Sequence, residues 1–193
     1  MNAPILVASI GNPGALLNTF HSAAHTTITR LGVMITAGNF VRDKNYANGL
    51  LAHQHQYHLW QSPVLMNLSG KAVAAAWKAF LRDLSPDQRS DARLVVLHDE
   101  LESPLGNIKQ KLSTSSHKGH NGIKSCKDIL GPTQPFVRIG IGIGRPDSRE
   151  SADVSKYVLR KMSTEEKKKI EDAAGPVLEL LNTMKYYVDP LKA

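Results

Sequence analysis

Arg93-Leu94-Val95-Val96-Leu97-His98-Asp99-Glu100-Leu101 is an unbroken apolar run that ends abruptly in ionisable residues. An apolar stretch without alternation predicts a strand buried on both faces, as parallel strands are. Asp99 then lies at the strand end, where sites collect in α/β folds. Ile5 to Ile10 repeats the pattern and stops at the turn Gly11-Asn12-Pro13-Gly14. Working outward, residues 50–60 read as a half-exposed strand and 63–68 as a short buried one. Further strands are expected at about 107–112 and from Val137 to Ile143. Between them, His21 to Leu31 has helical character. Ala72, Val73, Ala76, Trp77, Phe80, Leu81 and Leu84 form a helical stripe, with Ser69 before it as a plausible cap. A helix is expected from about Asn121 to Leu130. Ser163 with Glu166 is a capping-box pattern opening a C-terminal helix that Pro176 should kink or divide. Strands and helices alternate without repeat or linker, which predicts a single α/β domain over 1–193 with a mainly parallel or mixed sheet.

The chain has 193 residues, of which 41% are hydrophobic and 21% charged, ordinary values for a globular protein with a substantial core. Cys126 is the one cysteine, so no internal disulfide forms and a reducing compartment fits best. No apolar run approaches the roughly 18–20 residues of a membrane span, and no secretory signal pattern precedes Ile5. A cytoplasmic location is expected, with a mitochondrial one also compatible. The formal charge of +7 points to an anionic partner, nucleic acid ahead of membrane. Its distribution supports this: Ser103 to Lys127 contains no Asp or Glu but carries Lys109, Lys111, Lys118, Lys124 and Lys127.

Four short polar segments carry the candidate chemistry: Gly11 to Gly14 with His21 downstream, Met66-Asn67-Leu68-Ser69-Gly70-Lys71, His98 to Leu101, and Gly119-His120-Asn121-Gly122. A carboxylate such as Asp99 can bond one imidazole nitrogen of His21 and leave the other to take a proton from water. Asn12, Asn67 and Asn121 can donate to a carbonyl or a developing oxyanion without carrying charge. Other readings fit less well. Gly140, Gly142 and Gly144 lack the spacing of a dinucleotide fingerprint and suit strand glycines that admit another backbone. His53, His55 and His58 suit an exposed strand, with 53 and 55 on one face and 58 on the other. His117, His120 and Asp99 have no familiar metal spacing, so no metal is expected. There is no G-x-S-x-G elbow, and Cys126 suits a buried inert thiol.

Taken together, the segments resemble the bacterial-type peptidyl-tRNA hydrolase family, which carries G-N-P-G, T-R-H-N/S-x-G, M-N-x-S-G, H-D-[DE]-[LIV] and G-H-N-G in this order. Ile139 to Pro146 is similar to the family's I-G-I-G-x-P strand, and Tyr157-Val158-Leu159 to its Y-V-L. The resemblance spans about residues 5 to 185. It implies a monomeric α/β globule with a mixed twisted sheet flanked by helices. It also implies hydrolysis of the ester between a peptide and the terminal ribose of tRNA, without cofactor. By position, His21 would be the general base and Asp99 the residue that orients it. Asn12 and Asn67 would bind the peptide and the 3′ end, Asn121 would hold water or product, and Met66 and His120 would make further contacts. Lys111, with Lys109 beside it, would grip tRNA phosphate. A second phosphate-binding arginine falls at Gly140, with Arg138 its nearest substitute. The segment before His21 departs from the pattern: it is one residue shorter, lacks the tyrosine, and has Phe20 in place of arginine. Retention of the base, Asp99 and the asparagines favours a hydrolase over a catalytically idle RNA-binding scaffold on the same fold.

Overall fold

The computed structural model describes residues 3–184. Four strands form the parallel centre of the sheet: β1 (Ile5–Ser9), β4 (Tyr57–Gln61), β5 (Arg93–Glu100) and β7 (Val137–Gly142). Both flanks are antiparallel, with β2 (Val41–Asp43) and β3 (Gly49–Gln54) beyond β4, and β6 (Ile108–Leu112) beyond β7. The seven-stranded order is β2-β3-β4-β1-β5-β7-β6, a mixed sheet as expected.

Alternation sends the residues of each central strand into two cores. Ile5, Val7, Val95, Leu97, Ile139 and Ile141 face α1 (Ala23–Met34), α6 (Thr164–Asp172) and α7 (Ala174–Thr183). Leu6, Ala8, Leu94 and Val96 face α2 (Ser69–Asp83) and α4 (Asn121–Leu130). Both faces are covered, which is why these strands read as continuous apolar runs rather than as alternating ones. The register Leu97↔Ile139 and Ser9↔Leu97 aligns the carboxyl ends of β1, β5 and β7 on one side of the molecule. Among the described residues, no helix is long and apolar enough to cross a membrane.

Several local expectations are corrected. Residues 50–60 are not one strand but the hairpin β3–β4, because His55 adopts φ 52° in the connection. His53 therefore pairs with His58 on the same face, their rings 5.7 Å apart. Residues 63–68 are not a strand: Met66–Leu68 is a 3-10 turn leading straight into α2. Ser69 is consequently the first residue of α2 rather than its cap, and its hydroxyl turns back towards the Met66 sulfur. Pro86–Asp91 forms a short helix, α3, opened by a Ser85/Gln88 capping box. Neither β2 nor α5 (Ser151–Leu159) was expected. β2 is three residues long with an exposed valine, and α5 buries only Val158, so neither has a strong periodic signal. The Ser163/Glu166 capping box is present, and the C-terminal helix is divided: α6 ends at Asp172, and Pro176 sits in the first turn of α7, where the missing N–H costs least.

Close backbone approach fixes α2 against α4. The Gly70 N–H donates to Ser125 Oγ at 3.0 Å, and a Cβ at position 70 would lie 2.1 Å from the Ser125 carbonyl oxygen. Gly70→Ala should therefore destabilise the fold by about 1–3 kcal/mol. Gly175→Ala, in a helix with open space around it, should stabilise by about 0.5–1 kcal/mol. Urea unfolding of the two variants should shift the midpoint in opposite directions; equal shifts would refute the close-approach account.

Candidate active site

The aligned strand ends bring the four polar segments together. Asp99, on β5, is buried at 2% exposure and points to the α1 side of the sheet. His21 lies in the 3-10 turn Phe20–Ser22 just before α1. Its Nδ1 is 3.0 Å from both Asp99 carboxylate oxygens. A nitrogen facing two acceptors must carry the proton, so the lone pair of His21 sits on Nε2.

A second imidazole reaches the same carboxylate: His120 Nε2 is 2.9 Å from Asp99 Oδ1. His120 is also the N-cap of α4, where its Nδ1 accepts the Ile123 N–H at 3.2 Å. That bond fixes the tautomer with the proton on Nε2, donated to Asp99. The His21 and His120 rings lie 5.4 Å apart. Behind them His98 is buried, and its Nδ1 donates to the carbonyl of Asp99. Burial lowers the His98 pKa to about 3, so it remains neutral.

The electrostatics follow from this arrangement. Burial pushes the Asp99 carboxyl upward, but the charge and hydrogen bonds of His21 and His120 outweigh it and hold the group well below its ordinary range. For His21 burial works downward, while the charge and hydrogen bond of Asp99 outweigh it and raise the imidazole above 6.5. Asp99 thus contributes stability that is present above its unfolded value and lost as pH falls through its folded one. His21 contributes stability that is present below 6.5 and lost as pH rises through its folded value.

The Asn12 and Met66 segments lock together beside this centre, and neither they nor Asn67 line the cavity over it. Asn12, 5% exposed, donates its backbone N–H to Ser22 Oγ and accepts the Met66 N–H on Oδ1 at 2.9 Å. Its carboxamide oxygen is thereby occupied, which leaves the amide nitrogen to meet a substrate carbonyl. Met66 packs so closely on Gly122 that a Cβ there would be 2.3 Å from its sulfur. Asn67 is exposed on the 3-10 turn, and Asn121 is exposed at the first position of α4.

A cavity of about 390 Å³ opens over His21, Asp99 and His120 and continues past Asn121 and Lys111 to Arg149. A cavity of about 400 Å³ at the opposite strand ends, walled by Trp77, Leu94 and Phe136, brings no imidazole to a carboxylate. His117 also lines the site cavity, and its Nδ1 accepts the Gly119 N–H at 3.1 Å. Lys111 is ion-paired with the buried Glu100. Lys109 is exposed on the same edge strand. Arg138 is 2% exposed and donates to the carbonyl of Ser116. Gly140 adjoins Glu100, whose Cβ would be 2.7 Å from any Cβ at 140, so a long side chain has no room there. Cys126 is buried with its thiol pushed up to about 12, which suits an inert residue.

The facing atoms of His21, Asp99 and His120 lie within 4.8 Å of one another, close enough for a metal. Both imidazole nitrogens facing Asp99 carry protons, however, and His120 cannot move its proton to Nδ1 without losing the Ile123 cap. The donor set is built for hydrogen bonding.

The peptidyl-tRNA hydrolase family model matches residues 6–188. The chain belongs to the peptidyl-tRNA hydrolase family. Among relatives, a Schizosaccharomyces pombe protein described as "Probable peptidyl-tRNA hydrolase" is 39% identical over 166 residues, covering 86% of this chain and 75% of that one. A peptidyl-tRNA hydrolase of Treponema pallidum is 38% identical over 162 residues, covering 80% and 73%. The crystal structure of the Acinetobacter baumannii peptidyl-tRNA hydrolase superposes with a TM-score of 0.70 at 25% identity over 97% of each chain.

Three parts of this candidate site were missed by sequence reasoning. One is the double role of His120, since histidine is not among the preferred helix caps. Another is the Glu100–Lys111 pair, which alternation on β5 and β6 makes possible but spacing alone does not reveal. The third is α5, which walls the cavity with Val154 and Val158.

If the Asp99 charge strengthens His21 as a base, the acidic limb of kcat/KM should have its midpoint above 6.5. Asp99→Asn should lower turnover and move that limb below 6.5, because burial is then the larger influence on His21. An unmoved limb in the variant would remove Asp99 from this role.

Proposed function

We propose that the protein hydrolyses the ester joining a peptide to the 3′-terminal ribose of tRNA, with His21 as general base. The observation that carries this reading is His21 Nδ1 at 3.0 Å from both oxygens of buried Asp99, which leaves Nε2 free above the cavity. Water bound at Nε2 gives up its proton as its oxygen attacks the ester carbonyl. The Asp99 charge stabilises the imidazolium, and the carboxamide of Asn121, which lines the cavity, donates to the carbonyl as negative charge develops, while Asn12 and Asn67 bind the peptide and the 3′ end beside it. When the tetrahedral intermediate collapses, the C–O bond to the ribose breaks. The imidazolium proton passes to the departing 3′ oxygen, leaving a free peptide acid and tRNA. An ester demands less leaving-group help than an amide, so one base with polarising donors suffices. General-base assistance is typically worth about 10²–10⁴-fold.

The tRNA-binding face is assigned to the edge beside this cavity. Exposed Lys109, Lys118 and Lys124 lie on β6, the following loop and α4, and Lys111 joins them at the cavity wall. Arg138 is given a supporting role, holding the 113–118 loop from beneath through Ser116. Every group named comes from one chain, so a monomer suffices. The reading places the enzyme in the cytoplasm, and no metal or cofactor enters the steps.

Release of free tRNA from an N-acetylated aminoacyl-tRNA, with the unblocked substrate as control, tests the reaction. Cleavage of the blocked substrate alone is expected, and His21→Ala should slow it by at least about a hundredfold with little change in tRNA binding. Equal rates in the two proteins would exclude His21 as the base.

Lys109→Ala should weaken tRNA substrates while sparing a small ester fragment, and it should flatten the salt dependence of binding. Lys111→Ala should do the same and also lower stability, because it strands the buried Glu100 carboxylate. Losses that are equal on tRNA and on the fragment would contradict a phosphate contact.

A further inference from the structure

We infer that Arg160 is a positioning residue for His21, acting through the ring of Phe20. The inference rests on the reading of His21 as general base. His21 sits in a single 3-10 turn, which by itself is a weak platform. The turn is held on one side by Ser22, whose hydroxyl bonds both the N–H and the carbonyl of Asn12. On the other side it is held by a segment distant in sequence. The Phe20 N–H donates to the Arg160 carbonyl at 3.3 Å, the Met162 N–H donates to the Asn18 carbonyl at 3.0 Å, and Thr19 bridges Lys161.

The side chains repeat this arrangement. Phe20 is fully buried and stacks on Tyr157, with centroids 5.2 Å apart and planes inclined by 24°. The Arg160 guanidinium lies 4.3 Å from the Phe20 centroid and 5.1 Å from that of Tyr157. Each partner is tied from behind. Arg160 makes a two-point bond to Glu166 at 2.9 and 2.6 Å, and Glu166 also receives the Ser163 N–H at 2.8 Å as part of the α6 capping box. Tyr157 donates to the Ile143 carbonyl at 2.6 Å, just past the end of β7. A planar guanidinium can lie on a ring face and bond a carboxylate with its edge at the same time, which an ammonium cannot.

Stability alone does not account for this device. The Arg160 side chain is 41% exposed, and an ion pair so exposed adds little to the fold. Neither Arg160 nor Phe20 lines the cavity over His21, so direct substrate contact does not account for it either. What the stack controls is the residue adjoining the base. A base held slightly out of line loses rate steeply without losing substrate affinity.

The test is a double-mutant cycle on the full chain. Arg160→Met keeps the aliphatic stem and removes the charge and the plane. It should lower kcat on N-acetylated aminoacyl-tRNA by about three- to tenfold, at unchanged KM, with Arg160→Lys recovering only part. In a His21→Ala background the same substitution should cost nothing further, because the residue it positions is gone. An equal loss in both backgrounds, an unchanged kcat in Arg160→Met, or a rise in KM alone would each overturn the proposal. If His21→Ala by itself leaves turnover intact, the general-base reading has failed and this inference falls with it. That outcome is visible in the single variant, before the cycle is closed.

Discussion

A buried carboxylate that accepts protons from two imidazoles is the constraint on which this structure turns. Asp99 is 2% exposed, and a charge so placed is tolerable only when its oxygens are satisfied. His21 and His120 supply the donors. The arrangement works in both directions: the imidazoles keep Asp99 ionised, and Asp99 settles which nitrogen of each ring carries the proton. For His120 a second bond, from the Ile123 N–H, gives the same answer independently. The polarity of the His21 ring, with its lone pair on Nε2, thus follows from how the carboxylate is buried.

That constraint extends through a closed circuit of contacts. Asp99 binds His21, and Ser22 beside it binds Asn12. Asn12 binds the Met66 N–H, and Met66 packs on Gly122, two residues from His120, which returns to Asp99. Each of the four polar segments holds the next, so polar groups that are turn or cap residues individually become a rigid set. The glycines matter because the circuit is tight: Gly122 gives room to a sulfur, and Gly70 lets α2 reach α4. The circuit also relates the local sequence departure to function. Ser22 lies within it, while Phe20, on the other side of His21, needs separate support from Tyr157 and Arg160.

How much of this was legible in the sequence depended on how local the cause was. The buried strands β1, β5 and β7, the stripe of α2 and the span of α4 were readable because burial on two faces or on one stripe writes its own period. The hairpin β3–β4 was not, because its turn rests on His55 with φ 52° rather than on a glycine. Residues 63–68 misled because a short apolar run does not distinguish a strand from a 3-10 turn feeding a helix. At the site, the pairing of His21 with Asp99 was inferable from their chemistry and the strand end. The tautomer of His120, the burial of Arg138 and the capture of Lys111 by Glu100 depend on tertiary geometry that no spacing encodes. Phe20 looked like a simple loss of arginine, whereas in space a guanidinium, that of Arg160, lies against its ring.

The two acidic residues at the end of β5 show how one strand serves two tasks. Successive side chains on a strand point to opposite faces, so Asp99 and Glu100 are kept apart despite being neighbours. Asp99 meets two imidazole N–H donors, whose bonds satisfy its oxygens while its field acts on His21. Glu100 meets the cation Lys111 and accepts the Glu102 N–H, and although burial alone would raise its carboxyl, these contacts keep it below the usual range. Had Lys111 been paired with Asp99 instead, its positive charge would have opposed protonation of His21, which the proposed mechanism requires. A cation at the cavity wall that is paired with Glu100 rather than with Asp99 avoids that penalty. Alternation along β5 thus lets the Lys111–Glu100 pair and the His21–Asp99 pair share a cavity of about 390 Å³, the arrangement that the proposed reaction uses.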